Sequence, residues 1–460
     1  MSTPPTSSSD AGTDGDAAAA ACGDGVVAGD ELCDGPPVGC NTLGAVWASG
    51  TASCRTDCSG YDVSTCVLGT QTSEAVTPGA RDARYAAALC NDGTPFSFDV
   101  FLVAGAKKWV VYLEGGGNCD GTFQSCKGRP RSLVSSALRP ADRAAGEPTL
   151  NTTFLTRDST INPDFYDANI AFGRYCSSDG WTGTNATPQT VIVKDGTAPF
   201  VFTGRNNAEA FIDTLFRAYG IDDATSEVLF TGNSAGGFGA NVNIDLIAKR
   251  MPRAIADGRL AMLSGAAWKD VVWNDPAYSD YGKHLTDDQV GEAVSAIYAA
   301  ETDPKCVALA AASGVSHSRC TGSALTYQAA SSAAPAGWGV RTFIAKNRLD
   351  QGDMSEHGIP YADATKPADI AARATWLSQM TSAMANVSWL YAPADPQNDA
   401  NTDNLHGLIV DPLVWEYEPP GYPGKTLKLA VHDFWTTRGP SAGERIVFAG
   451  DVPHSGESAQ

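Results

Sequence analysis

Beyond residue 70 the sequence predicts an α/β fold, a mostly parallel sheet covered by helices on both faces. Three observations carry that expectation. Apolar runs alternate with helix-like segments, the order that builds parallel strands joined by crossover helices. Two of the runs, Trp109-Val-Val-Tyr-Leu113 and Val228-Leu-Phe-Thr231, are continuous rather than alternating, as strands buried on both faces are. The second run passes through Gly232-Asn-Ser-Ala-Gly236 into an apolar helical pattern, so strand, tight turn and helix follow one another.

In chain order, strands are expected near 98–103, 108–113, 168–175, 191–194, 227–231, 259–263, 341–346 and 387–392. Helices are expected at 206–219, 236–250, 287–300 and 367–384. The start of the chain has a different texture. Residues 1–21 hold Ser, Thr, Pro, Asp, Gly and Ala with almost nothing to form a core, the composition of a disordered spacer. Residues 22–68 are expected to be a small module held by cross-links, because six cysteines fall between Cys22 and Cys66 amid Gly and Asp with few large aliphatics. The pattern Cys22-Gly-Asp-Gly, Gly29-Asp-Glu-Leu-Cys33-Asp-Gly, Cys40, Cys54-Arg-Thr-Asp-Cys58 and Cys66 resembles a cysteine-rich repeat common in secreted proteins of myxobacteria. Six cysteines allow fifteen pairings, so connectivity stays open. Zinc at Cys54-x3-Cys58 is the rival reading; no histidine lies nearby and the cysteine count is even, both of which count against it. Residues 70–460 then form the large domain.

Composition excludes several classes. At 460 residues and 43% hydrophobic content there is material for a large core. A formal charge of -20 and a pI near 4.6 repel nucleic acid and anionic lipid surfaces. No apolar run reaches the length of a membrane helix, and Met1-Ser-Thr-Pro-Pro has neither the charged nor the apolar region of a signal peptide. Twelve cysteines nevertheless argue for an oxidising compartment. The expectation is a secreted or cell-surface protein whose export signal has been removed.

The chemistry centres on Ser234. In a Gly-x-Ser-x-Gly turn the serine is lifted out of the backbone, and Gly232 and Gly236 lack the side chains that would clash in so tight a bend. This nucleophile elbow points to an α/β-hydrolase-like three-layer sandwich. An activated serine needs donors for the developing oxyanion. Lys107-Lys-Trp-Val-Val-Tyr-Leu-Glu-Gly-Gly-Gly117 supplies a second strand ending in three glycines whose N–H groups suit that task. A phosphate loop is the alternative for three glycines, but no Gly-Lys-Ser or Gly-Lys-Thr follows and Cys119 intrudes.

A serine also needs a base, and the base needs an acid, in the chain order Ser, Asp or Glu, His for this fold. The six histidines are His284, His317, His357, His406, His432 and His454. His406 follows the strand Val387-Ser-Trp-Leu-Tyr-Ala392, and loops at the C-terminal ends of such strands build sites. His432 sits in Leu427-Lys-Leu-Ala-Val-His-Asp-Phe-Trp435, the pattern of a helix flank. Val340-Arg-Thr-Phe-Ile-Ala-Lys346 is expected to be a strand, with Asp350 as the acid after it and Asp353 as its close competitor. Asp350, Asp353, Glu356 and His357 read alternatively as metal ligands, though hard-metal cages show tighter alternation. The expected chemistry uses no metal and no cofactor.

With these residues in place, the sequence over most of 85–440 resembles the pectin acetylesterase and Notum family of serine carboxylesterases. The matching segments are Leu113-Glu-Gly-Gly-Gly-Asn-Cys119 with Cys126, Asn162-Pro-Asp-Phe165, Asn169, Tyr175-Cys-Ser-Ser-Asp-Gly-Trp-Thr-Gly183, Gly232-Asn-Ser-Ala-Gly-Gly-Phe-Gly239 with Asn243, and His406 with Leu408-Ile-Val-Asp-Pro-Leu-Val-Trp415. The resemblance implies a triad of Ser234, Asp350 and His406, oxyanion donors at Gly116, Gly117 and Ala235, and a Cys119–Cys126 disulfide. Cys90–Cys176 and Cys306–Cys320 then use the remaining cysteines. Asn118 stands where plant members carry tryptophan, which removes an aromatic wall and counts against acetylated pectin, while Trp181 is a candidate to line the cleft instead; both are taken as substrate-binding residues.

The leading expectation is a secreted ester hydrolase taking acetyl or other short acyl groups from a polysaccharide through an acyl-enzyme, with the N-terminal segment as a tether to the cell envelope. An esterase for aromatic, feruloyl or polyester substrates is the runner-up. A non-catalytic surface protein that binds glycan is the reading from another class, and the candidates for every triad role argue against it.

Overall fold

The computed structural model describes residues 22–137, 153–268, 287–321, 324–359, 366–395, 405–438, 443–449 and 452. The expected spacer at 1–21 lies outside the described residues, as do His284 and His454. The main sheet contains β1 (Ser73–Val76), β2 (Phe98–Phe101), β3 (Lys108–Leu113), β4 (Asn169–Gly173), β5 (Glu227–Asn233), β6 (Leu260–Gly265), β7 (Arg341–Ala345), β8 (Trp389–Ala394) and β9 (Arg445–Ala449). Their spatial order is β9-β8-β7-β6-β5-β3-β4-β2-β1. From β9 to β4 every pairing is parallel; β2 and β1 close the far edge antiparallel. The fold is therefore an α/β-hydrolase-like sandwich, as expected.

The continuous apolar runs are continuous because both faces of the strand are covered. Along β3, Trp109, Val111 and Leu113 join one buried cluster with helix α1 (Gly204–Ala218), while Val110 and Tyr112 join another with helix α2 (Leu427–Thr436). The period of two puts neighbouring side chains into opposite layers. Both layers are dry, so neither set is polar. A third cluster packs Trp376 and Met380 of the helix Pro367–Ala383 against Ile344 and Leu390 at the β7–β8 end.

Two local expectations are corrected. The run at 191–194 does not enter the main sheet; it belongs to an antiparallel hairpin, Asn185–Val193 with Gly196–Phe202. Within Asn185–Val193 only Val191 is buried, and a strand with one wet face has no place at the centre of a parallel sheet. The helix at 236–250 is interrupted at Asn243, between Ala235–Val242 and Ile244–Ala248. The Asn243 amide donates to the carbonyls of Gly239, at 2.8 Å, and Trp181, at 3.0 Å, so a side chain competes with the helix ladder at that point.

Residues 22–68 form short strands closed by three disulfides, Cys22–Cys58, Cys33–Cys54 and Cys40–Cys66. Cys54 and Cys58 are thus both in disulfides, which removes the zinc reading. Leu32, Val46, Trp47 and Tyr61 are buried in the same cluster as Phe211, Phe216 and Tyr219 of the large domain. The Trp47 indole N–H donates to the Ala218 carbonyl at 3.1 Å, and the buried Glu74 carboxylate accepts from the Ala45 N–H, the Arg81 guanidinium and the Tyr219 hydroxyl.

Candidate active site

The C-terminal ends of β5, β7 and β8 deliver three side chains to one place. Ser234 follows β5 and starts the helix Ala235–Val242, with φ 55° and ψ -128°. A positive φ is costly for a residue with a Cβ, so the surrounding structure must enforce it. It does so by close packing of glycines: a Cβ on Gly236 would run into the Leu113 carbonyl, and one on Gly232 into the Gly236 backbone. The Ser234 N–H donates to Gly265 O at 2.9 Å, which ties the elbow to the end of β6.

His406 lies in the short turn Leu405–Gly407 beyond β8, its side chain about a quarter exposed. Its Nε2 is 2.6 Å from Ser234 Oγ and its Nδ1 is 2.7 Å from Asp350 Oδ2. Asp350 is fully buried. Its Oδ1 accepts the Gly352 N–H at 2.9 Å, and its Oδ2 also accepts from Lys346 Nζ at 2.6 Å. Burial pushes the Asp350 carboxyl up, but His406 and the Lys346 ammonium outweigh it and hold the group well below the usual carboxylate range. Asp353, the competitor for the acid, accepts from Lys346 Nζ at 2.5 Å. Asp350 is held by the His406 ring and both carboxylates share a buried lysine, so the loop's aspartates are already engaged by protein partners, which counts against the metal-ligand reading.

Around Ser234 lies a pocket of about 160 Å³, lined by Gly117, Asn118, Ala235, Phe238, Ala266, Ala267, Gly352, Asp353 and His406. Gly117 and Ala235 therefore face the same space as the serine. The Ala235 N–H belongs to the first turn of its helix, where intrahelical bonding leaves donors unused. Gly116 has φ 141° and Gly117 φ 68°, left-handed values that suit residues without a Cβ. The Gly116 carbonyl accepts from Arg129, whose guanidinium rests over the Tyr175 ring. Because C=O and N–H point opposite ways across a trans peptide, that contact turns the Gly117 N–H away from Arg129. Asn118 is fixed by the Tyr175 hydroxyl, which donates to its Oδ1 at 3.0 Å. The Cys119–Cys126 disulfide closes this loop, and Cys90–Cys176 and Cys306–Cys320 are also paired.

Trp181 differs from the expectation. It is completely buried, stacks on Tyr175, donates from its indole to Glu114 O at 3.1 Å and fills the space a Cβ on Gly239 would need. It braces the elbow from behind instead of lining the pocket. His432 is on its helix flank, 2.9 Å from Asp164, and takes no part here. Sequence reasoning missed Lys346 and Phe238. A lysine ending an apolar strand was the available signal for the first.

Residues 76–267 match the model of the Pectinacetylesterase family. Over that part the chain is similar to pectin acetylesterases and, as the relatives below show, to Notum carboxylesterases. Among similar proteins, Palmitoleoyl-protein carboxylesterase notum1' of Xenopus laevis is 32% identical over 186 residues, 39% of this chain and 34% of that protein. Palmitoleoyl-protein carboxylesterase NOTUM of Homo sapiens is 29% identical over 170 residues, 36% and 30%. The matched part is thus about a third of those relatives' length. The solved structure of the Wnt deacylase Notum from Drosophila superposes with a TM-score of 0.59 at 19% identity, over 79% of this chain and 95% of that one. The family match contains Ser234 and the glycine loop; Asp350 and His406 lie beyond it, and only folding brings them to the serine.

Proposed function

We propose that the chain is a secreted serine ester hydrolase that removes acetyl or other short acyl groups from a polysaccharide through an acyl-enzyme. The observation that carries this reading is the unbroken path from Asp350 through His406 to Ser234, at 2.7 and 2.6 Å. His406 Nε2 takes the Ser234 proton as Oγ attacks the ester carbonyl; Asp350 holds the imidazole in the required tautomer and stabilises the imidazolium. The N–H groups of Gly116, Gly117 and Ala235 are the donors for the tetrahedral oxyanion, and Gly117 and Ala235 line the pocket. Collapse returns the proton from His406 to the leaving alcohol. Water then repeats the sequence on the acyl-Ser234 ester and releases the acid.

A pocket of about 160 Å³ supports a short acyl group, since sites for drug-sized ligands run to about 300–1,000 Å³. Asn118, positioned by Tyr175, is the polar side chain beside that group. Six disulfides among the described residues support an oxidising, extracellular setting. The module at 22–68 is proposed as a tether that takes no part in the chemical step. A panel of nitrophenyl acetate, butyrate and palmitate with acetylated xylan tests the reading. Acetate should be the best substrate in kcat/KM; a preference for palmitate, or no hydrolysis of any ester, would count against it.

A further inference from the structure

Lys346 is the first residue beyond β7, and its side chain is completely buried. A buried ammonium is tolerable only when its charge and its three protons are met. Here all three are: Nζ donates to Asp350 Oδ2 at 2.6 Å, to Asp353 Oδ2 at 2.5 Å and to the Ala266 carbonyl at 3.1 Å. Burial pulls the ammonium toward losing its proton, but the two carboxylates more than offset this and keep it charged. The lysine shares one oxygen, Oδ2 of Asp350, with His406 Nδ1. The triad acid therefore divides its charge between a permanent cation and the histidine.

We infer that Lys346 is a positioning residue that sets the proton affinity of His406 by sharing the Asp350 carboxylate, an inference that rests on the proposed roles of Ser234, His406 and Asp350. Among the described residues, the charged side chains bonded into the His406 site are Asp350 after β7, Asp353 in the helix Gln351–Glu356 and Lys346, which donates to both carboxylates. The other described residues that line the pocket, among them Gly117, Asn118 and Phe238, carry no charge. Two carboxylates alone would place two negative charges behind the imidazole and hold it protonated to higher pH. With Lys346 between them the net charge of these three groups is one negative, which stabilises the imidazolium formed during attack. Oδ2 is also held in place by the Lys346 ammonium.

The test is the pH profile of kcat/KM for acetate release from a soluble acetyl ester. Lys346→Met should move the acid limb up by about 1–2 pH units, the usual effect of losing one charge at this range. Asp353→Asn leaves Lys346 with Asp350 alone, weakens the acid's hold on His406, and should move the limb down. A merely structural role lowers rates without opposite shifts. Should Lys346→Met fail to fold, the downward shift in Asp353→Asn, checked by an unchanged thermal transition, carries the decision. A folded Asp353→Asn enzyme whose limb stays in place overturns the inference. Ser234→Ala separates the two layers of argument: full activity in that variant removes the triad reading itself, whereas a dead Ser234→Ala with an unmoved limb removes only the role of Lys346.

Discussion

The chain contains two regions ordered by different means. The site at the ends of β5, β7 and β8 is held by a sheet buried on both faces, and the three side chains proposed to react there come from points 172 and 56 residues apart, from Ser234 and from Asp350 to His406. The module at 22–68 has strands of two to four residues and takes its order from three disulfides. Yet the module is not separate from the core, since Trp47 and Tyr61 sit in one cluster with Phe216 and Tyr219. The contrast teaches that continuity of packing and participation in chemistry are different questions. Substitutions in the two regions should separate rate from stability.

The sharpest separation is expected at the triad. Ser234→Ala and His406→Ala should each lower kcat on a soluble ester on the order of 10⁴-fold or more, their losses should not add, and Asp350→Ala should be milder. Thermal transitions of the serine and histidine variants should stay close to the parent. If Asp353→Ala is inactive and Asp350→Ala is near normal, the acid has been misassigned.

The loop closed by Cys119–Cys126 should fall between the extremes. Replacing both cysteines by serine loosens the segment that carries Gly116 and Gly117, and kcat/KM should drop by about 10–100-fold, less than the loss of a whole oxyanion donor. Seven residues of separation make its stabilisation the smaller one, about 2–3 kcal/mol, against about 4–5 kcal/mol for Cys90–Cys176 with 86. The matching double replacement at Cys90 and Cys176 should therefore show the larger fall in Tm.

At the other end, Trp47→Ala removes a buried indole and leaves the Ala218 carbonyl without its donor, which should cost about 3–5 kcal/mol of stability. Turnover of a small ester below the new transition should be unchanged. A chain beginning near residue 70 is the harsher version and should keep its rate while losing more stability. Lost activity in a well-folded variant of either kind would mean that the module shapes the site.

Much of the sheet was legible in the sequence because burial on both faces leaves an unbroken apolar run, as in Trp109–Leu113. The elbow was legible because only glycine fits at Gly232 and Gly236. Edge elements were not: β1 and β9 are short, β1 carries Glu74, and neither shows the pattern of a central strand. The Asn243 break was hidden because Asn241, Asn243 and Asp245 read alike as polar residues within Ala235–Ala248, and one amide decides where the ladder stops. Trp181 was misjudged because a tryptophan in a polar loop gives no sign of which way its ring turns. Lys346 was overlooked because a lysine at the end of a strand ordinarily marks the return to solvent, and here two aspartates keep it inside.

The central claim is that Ser234 is the nucleophile made reactive by His406 and Asp350. Mass spectrometry after incubation with a phosphonate ester that traps activated serines tests it directly. The account predicts one adduct per chain, on the peptide containing Ser234, formed at a rate that collapses in His406→Ala and is absent in Ser234→Ala. Ester hydrolysis that persists in Ser234→Ala, or an adduct on another residue, would contradict it.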